Sequence, residues 1–431
     1  MIRSALFLVI IFGMGFGSLI QAQVTSDSTS IDSVKIGSLV VDSIPPPIPK
    51  QRIDEKKPER IVPWQQYKSL GMDAVTNDSL LRWQIWPNWG EFYAYNKDVI
   101  SFRQGSTGRI DAFQISGFNP YEQSLSLEGI DLSNPITGLV NYNYVPHHKI
   151  GSMYEQKSGG YHSEIELKKY YILEPISYLN YDEAKYDYRN LEFMVTQNLS
   201  ERTNIELSFW DRRDGGNYRR NDVLGNQIVA RGYHYLSQNT QLRTIYLRNQ
   251  FENQEPFGYQ IGDPLAFSFD QFSSSPNVSN ATSKATRRDW ITGIYHRADS
   301  NSVEDVGLEI VLTKNEYNLP FTIDTLSWDL RNYSANAFKI IGSESISLKI
   351  EGGVGYHSFK ENKNILESGW SDFNISSEIS LKTISNLDMN GNASLVQRSD
   401  GFNGSEVGVG FNLFLFKSYT GVQLIFQVIQ I

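Results

Sequence analysis

The chain has 431 residues, a formal net charge of -9 and no cysteine. That excludes a disulfide framework, a thiolate metal site and a thiol nucleophile, and the lack of a basic stripe argues against nucleic acid as a partner. Aromatic residues make up 13% of the chain, a level that suits the interfacial girdles of a membrane barrel as well as an aromatic-rich secreted sandwich. The mean hydropathy of -0.37 fits a barrel too, because only alternate residues of a barrel strand face lipid.

The N-terminus reads as a secretory signal. Arg3 supplies the positive end, Ala5 to Ile20 the apolar run, and Ala22 a small residue at the cleavage point, with Gln23 opening the mature chain. Residues 1–22 are assigned to this signal. No later stretch offers about 20 consecutive apolar residues, so no second helical span is expected. Residues 23–62 are rich in Ser, Asp, Pro and Lys and lack the apolar content that offsets ordering entropy; they are read as a disordered periplasmic linker. Pro45, Pro46, Pro47 and Pro49 make a stiff spacer within it. A β-prone island, 34–41, carries Ile36, Leu39, Val40 and Val41. Such a segment can add to a partner's sheet edge, and the alternative is a spacer with no role.

Residues 63–100 hold Trp64, Trp83, Trp86 and Trp89. A helical turn opening at Asp78-Ser79-Leu80-Leu81 would be stopped by Pro87. Residues 102–160 form a glycine-punctuated strand-and-turn module. Gly129 lies between the run Leu125-Ser126-Leu127 and Ile130, where glycine supplies a turn conformation that a side chain resists. Asn134-Pro135 initiates a second turn.

From about residue 161 the pattern becomes long alternating strands. Leu191, Phe193 and Val195 share a face, as do Ile205, Leu207 and Phe209; Val306, Leu308, Ile310 and Leu312; Ile346, Leu348, Ile350 and Val354; and Phe373, Ile375, Ile379 and Leu381. Val407, Val409, Phe411, Leu413 and Leu415 repeat the pattern, and Val422, Leu424, Phe426 and Val428 close it. Period-two alternation marks a sheet with one apolar face. Runs of about ten residues match a tilted strand that crosses a bilayer. Short connections at Ser200-Glu201-Arg202-Thr203 and Ser385-Asn386 contrast with long polar ones at 211–224 and 253–285. Barrels show this asymmetry, with tight periplasmic turns and long external loops. Arg212, Arg213, Arg219 and Arg220 in the first long connection are candidates for an anionic ligand or surface glycolipid, against the plainer reading of a solvated loop.

The 102–160 module resembles the plug domain of the TonB-dependent outer-membrane receptors. Its first glycine element is Gln114-Ile115-Ser116-Gly117, its turn Glu128-Gly129-Ile130, its N-P step Asn134-Pro135 with Gly138 after it, and its last element Val145-Pro146-His147-His148-Lys149-Ile150. The resemblance covers about 55 residues, and Gly117, Gly129, Asn134, Pro135, Gly138, Pro146 and Ile150 carry it. Ser116 replaces the family's arginine, and the last residues, Val428 to Ile431, lack the terminal aromatic common in these barrels. What the resemblance implies is a mainly β chain: a small α+β plug over 63–160, then an antiparallel transmembrane β-barrel over 161–431. It implies outer-membrane lipid around the barrel, an energy-coupling TonB-like partner acting on the N-terminal segment, and an unknown nutrient ligand. About 270 residues follow the plug, enough for about 12–14 strands at ~20 residues per strand and connection. The expectation is a partial barrel, a piece of a longer one rather than a reduced family member.

Other chemistry finds no support in the sequence. Gly105-Ser106-Thr107-Gly108 lacks the lysine and spacing of a phosphate loop. Gly352-Gly353-Val354-Gly355 and Gly408-Val409-Gly410 lie in strand patterns. His147, His148, His162, His234, His296 and His357 form no ligand pair with helical spacing, and no G-x-S-x-G elbow occurs. No metal, cofactor or enzymatic activity is expected. The leading function is energy-coupled uptake through a plugged barrel. The alternatives are a non-transporting binding or porin-like outer-membrane barrel, and a soluble β-rich adhesin.

Overall fold

A computed structural model describes residues 64, 73–77, 89–95, 98–102, 109, 111–134, 137–157, 160–169, 174–260, 274–298, 303–320, 325–342, 345–361, 366–384, 387–401, 403–415 and 418–428. The signal, the linker with Ile36, Leu39, Val40 and Val41, and the expected turn at 78–81 lie outside the described residues.

An N-terminal module contains β1 (Asp73–Asn77), α1 (Trp89–Ala94), β2 (Val99–Phe102), β3 (Ala112–Ile115), β4 (Gln123–Leu127), β5 (Ile130–Asp131), β6 (Ile150–Lys157) and β7 (Tyr161–Leu167). Five of these strands form a sheet in the order β1-β6-β7-β4-β5, while β2 and β3 pair separately. The β4–β7 pairing is parallel; the other pairings in the sheet are antiparallel. The alternating burial of Leu125 and Leu127 in β4 and of Tyr161, Ser163, Ile165 and Leu167 in β7 places one face of this sheet in a core. Trp89 and Tyr93 of α1 and Phe113 of β3 pack into the same core. The module ends at Leu167 rather than at residue 160, because β7 pairs with β6 and β4 and not with the strands that follow.

The long strands are β8 (Ile176–Ala184), β9 (Tyr188–Ser200), β10 (Thr203–Asp214), β11 (Val223–Ser237) and β12 (Thr240–Gln254). A small hairpin, β13 (Tyr259–Gln260) with β14 (Ser275–Pro276), interrupts them. They resume with β15 (Thr282–His296), β16 (Val306–Pro320), β17 (Thr325–Gly342), β18 (Ile346–Glu361), β19 (Leu366–Ile384), β20 (Leu387–Arg398), β21 (Asn403–Leu415) and β22 (Ser418–Val428). Thirteen strands form one antiparallel sheet that runs from β8 to β22 in chain order without β13 and β14. It is a barrel wall that does not close: β8 and β22 are its edges.

The polarity of this wall is inverted relative to a soluble sheet. Leu207, Ile310 and Val354 are 44%, 52% and 54% exposed, whereas Glu206, Arg231, Asn249 and Asp289 are buried. The apolar sides read from sequence, such as Leu191, Phe193 and Val195, are the outward ones. An apolar exterior over a polar interior is the arrangement of a strand that crosses lipid. The two expected short turns and two expected long connections fall on opposite rims, although the β15–β16 connection, 297–305, is long and lies on the rim of the short turns. The β9–β10 link lies between Ser200 and Thr203, and the β19–β20 link between Ile384 and Leu387. At the opposite rim lie the connections 215–222 and 255–281.

Candidate functional site at the seam between module and wall

The inner face of β9–β12 and β15 packs against the module. The module's core runs without a break into Trp210, Val229, Ile245, Leu247, Phe251 and Ile291 of the wall. Around this apolar patch lies a polar seam.

The turn Glu128-Gly129 joins β4 to β5 with φ of 52° and 86°. Two central residues at positive φ give the primed turn that suits tight hairpins. A Cβ on Gly129 would meet only the Ile291 Cδ1 atom, at 3.7 Å, so backbone conformation rather than space calls for glycine here. Glu128 takes the same disfavoured region because its carboxylate is held. Oε1 accepts the Leu167 N–H at 2.7 Å and stands 3.6 Å from Arg231 Nη1 of β11.

Lys149 arrives at the same place from a 3-10 turn, His147–Lys149. Its ammonium donates to Ser208 Oγ at 3.1 Å and pairs with Glu206 of β10. Arg231 Nη2 closes the group with Glu206 Oε2 at 2.5 Å. Glu128, Lys149, Glu206 and Arg231 thus join module to wall as a buried ionic cluster, with side chains at most 2% exposed. Burial alone raises the Glu128 carboxyl; Lys169, Arg231 and Arg243, with the Leu167 N–H, reverse this and hold it below its usual value. Burial, with the like charge of Arg231, pushes the Lys149 ammonium well below its usual value, and Glu128 opposes that shift. Breaking such a cluster leaves uncompensated charge in a dry site.

Elsewhere in the seam the wall grips module backbone. Arg287, aligned by Asp289 at 2.9 and 3.1 Å, donates to the carbonyls of Asp131 and Ser133. Gln227 donates to the Tyr144 carbonyl at 3.0 Å, and Arg231 to that of Lys168 at 2.5 Å. In the reverse sense the module's Arg109 donates to Asn221 Oδ1 at 2.9 Å and pairs with Glu255 at 3.1 Å. Main-chain oxygens are available whatever the side chain, so this grip depends on where the module's backbone runs.

The resemblance-bearing residues occupy turns and the seam. Gly117 follows Ser116 in a turn at φ 89°, and a Cβ added there would meet nothing within 4 Å. Asn134 caps its own turn: Oδ1 accepts the Thr137 N–H at 3.2 Å, and its carbonyl accepts that of Gly138 at 2.7 Å, with Gly138 at φ 69°. Pro135 lies outside the described residues. Pro146 is buried and its carbonyl accepts the Lys149 N–H at 2.9 Å. Ile150 is 1% exposed and pairs with Leu167.

The four arginines do not form one loop site. Arg212 and Arg213 belong to β10, and the connection begins only at residue 215. Arg212 faces inward, 3% exposed, with its guanidinium 4.3 Å from the Trp210 ring centroid. The wall's inner face is polar, so the strand continues through residues that read as a loop. Arg213 pairs with Asp187 at 2.9 Å and Asp222 at 3.5 Å. Arg219 and Arg220 lie in the connection and tie it to the next one: the Arg219 N–H donates to Ser274 Oγ at 2.9 Å, and Arg220 Nη2 to the Ala281 carbonyl at 3.1 Å.

Beyond β15 the inner wall is different. His357 of β18 contacts Asn332 Oδ1 at 3.0 Å and Asp372 Oδ2 at 2.9 Å, with His357 and Asp372 side chains each 19% exposed. Trp370 stacks on His357 at 5.1 Å, and the Arg398 guanidinium lies 4.6 Å from the Trp370 ring. Tyr317 and Trp328 stack at 5.7 Å on the same face. These groups lie near the rim with the longer connections. Sequence reading singled out none of the wall residues Glu206, Arg231, Gln227, Arg287, His357 or Asp372 as site residues. The available signal was polar residues at period two, such as Gln227 and Arg231 on the face opposite Leu224 and Ile228.

No family model matches the chain, and no curated protein matches it. Solved structures do. The siderophore receptor PirA from Acinetobacter baumannii superposes with a TM-score of 0.61 at 13% identity, covering 80% of this chain and 59% of that one. The FrpB iron transporter from Neisseria meningitidis gives 0.63 at 9% identity, covering 80% and 62%. The ferric enterobactin receptor PfeA from Pseudomonas aeruginosa gives 0.61 at 11% identity, covering 83% and 62%. The chain therefore has the fold of these receptors and transporters, and it spans about three-fifths of their length.

Proposed function

We propose that the chain is an outer-membrane receptor of the TonB-dependent type, in which the N-terminal module is a plug and the thirteen-strand sheet is part of a barrel. The observation that carries this reading is the seam. A module with its own sheet rests on the inner face of a lipid-type wall, around a shared apolar patch, through polar groups and main-chain carbonyls. The hydrogen bonds to carbonyls can exchange for water, as a stopper that must shift requires, whereas the ionic cluster resists parting. The open inner strip with His357, Trp370, Asp372 and Arg398 is the candidate ligand surface, since aromatic faces beside charged groups suit a polar nutrient or metal chelate. A periplasmic partner would pair with the β-prone segment 34–41 and draw on the module.

The test is to lock the module. The chain lacks cysteine, so Gly129→Cys with Ile291→Cys can be joined by a short bis-maleimide without side reaction. Uptake of a radiolabelled ferric siderophore by cells should stop when the lock is set, while surface binding persists. Uptake that continues with the module locked removes the transport reading. Deleting 34–41 tests coupling separately, since uptake that needs no such segment removes the partner.

The buried ionic cluster favours a second reading, a barrel whose plug never leaves and which binds without transporting. Surface binding without uptake by the unlocked chain would select it.

A further inference from the structure

The register of the wall orders its outward face into depth layers. Tyr246, Trp290, Leu312, Tyr333 and Tyr356 oppose one another in turn across β12, β15, β16, β17 and β18. On one side of this aromatic row lies an apolar row, with Ile310, Ala335, Val354 and Phe373 in register. On the other side, toward the rim with the longer connections, the next outward row is Arg248, Arg288, Lys314 and Arg331, four cations directly opposed on four neighbouring strands. Arg288, Lys314 and Arg331 side chains are 39%, 34% and 49% exposed.

Like charges directly opposite one another destabilise a sheet, so a run of four calls for counter-charge. The following row supplies two carboxylates, Glu316 and Asp329. Glu316 pairs with Arg288 at 2.5 Å and Lys314 at 2.6 Å, and Asp329 with Arg331 at 2.7 Å. Arg248 instead donates to the neutral Gln250 at 2.5 Å. Two carboxylates serve these four cations; beside them Lys284 lies opposite Glu252, and Lys360 between Asp329 and Glu367, which leaves six cations against four carboxylates. On a chain of net charge -9 this is a local reversal of sign. It lies one register step beyond an aromatic girdle, where lipid headgroups sit. Two grooves follow the row, one lined by Tyr246, Trp290 and Arg331, the other by Lys284, Arg288 and Lys360.

We infer that the row Arg248, Arg288, Lys314 and Arg331 binds the phosphates of an anionic glycolipid in the outer leaflet, with the acyl chains lying on the apolar rows beside it. The inference rests on the membrane orientation proposed above. The girdle sets the depth of the headgroup, the cations supply the charge-assisted hydrogen bonds, and Glu316 and Asp329 hold the arginine forks in place.

The test uses the full chain in neutral detergent, titrated with a bis-phosphorylated glucosamine-disaccharide lipid and followed by native mass spectrometry. The same lipid after phosphatase treatment should bind about tenfold more weakly or worse. The variant with Arg288→Gln, Lys314→Gln and Arg331→Gln should lose a similar factor. Equal affinity for the phosphorylated and dephosphorylated lipids overturns the inference and needs no variant. Unchanged affinity in the triple variant overturns it as well. Displacement by equimolar inorganic phosphate would assign the row to a free anion, also against it. Extraction of the wild-type chain from membranes by alkaline carbonate would instead defeat the membrane reading on which the inference rests.

Discussion

The wall has two halves built on one plan and used in two ways. From β9 to β15 its inner residues are buried against the module: Glu206 and Arg231 side chains are 2% and 1% exposed. From β16 to β20 part of the inner face remains open: His357 and Asp372 are each 19% exposed and the Lys349–Glu351 pair 27% and 34%, while Asn315, Leu330 and Ser380 are buried. The outward faces do not differ in this way. Leu207 on the first half and Ile310 on the second are both outward and apolar. The difference therefore comes from what the inner face meets, not from the strands themselves. The same polar alternation serves as a dry joint on one side and a wet lining on the other.

Three pairs of substitutions break or sharpen this comparison. The largest effect is expected from Arg231→Met, which removes the cation shared by Glu128 and Glu206 and leaves Lys149 alone with two carboxylates in a dry site. It should destabilise the chain by about 3–5 kcal/mol in urea unfolding. On the open half, Asp372→Asn should cost about 1 kcal/mol or less, and equal costs for the two would erase the distinction between halves. Next come Leu207→Arg and Ile310→Arg. Each should cost about 2–4 kcal/mol in lipid vesicles, and a large difference between them would show that the outward faces are not alike. Gly129→Ala and Gly117→Ala should each cost about 1 kcal/mol through positive φ alone. A much larger loss at Gly129 would show that contact with Ile291 matters too.

The smallest effect is a pH dependence confined to the joined half. Glu128 has its folded value depressed below 4.5, so its stabilising contribution is complete above 4.5 and is lost as pH falls through the depressed value. Stability measured across that acid window should fall less steeply in Glu128→Gln. An identical slope would remove Glu128 from the cluster.

Much of the wall was legible in the sequence, because alternation fixes which side of a strand is apolar. The turn glycine Gly129 was legible for a related reason: it takes a positive φ, a local demand that local sequence meets; Gly117 and Gly138, which came only with the resemblance, take positive φ as well. The seam was not. Lys149 and Ser208 are 59 positions apart, and Arg287 and Asp131 are 156 apart, so their meeting depends on strand order and on which half of the wall the module chooses. Arg212 and Arg213 show the converse error: inward polarity imitates a loop. Glu128 was read as one member of a turn, because spacing does not reveal that its carboxylate crosses to another element. The end of the module was set too early, because β7 alternates like the strands after it while pairing with those before it.

The topology of the small sheet has a mechanical consequence. β1 is an edge strand fastened only to β6, while β7 lies mid-sheet and leads through residues 168–175 into the first wall strand. Tension entering from the N-terminal side meets an edge strand held by one neighbour first, and the central strand stays tethered to the wall. The load would act on the periphery of the sheet before its centre.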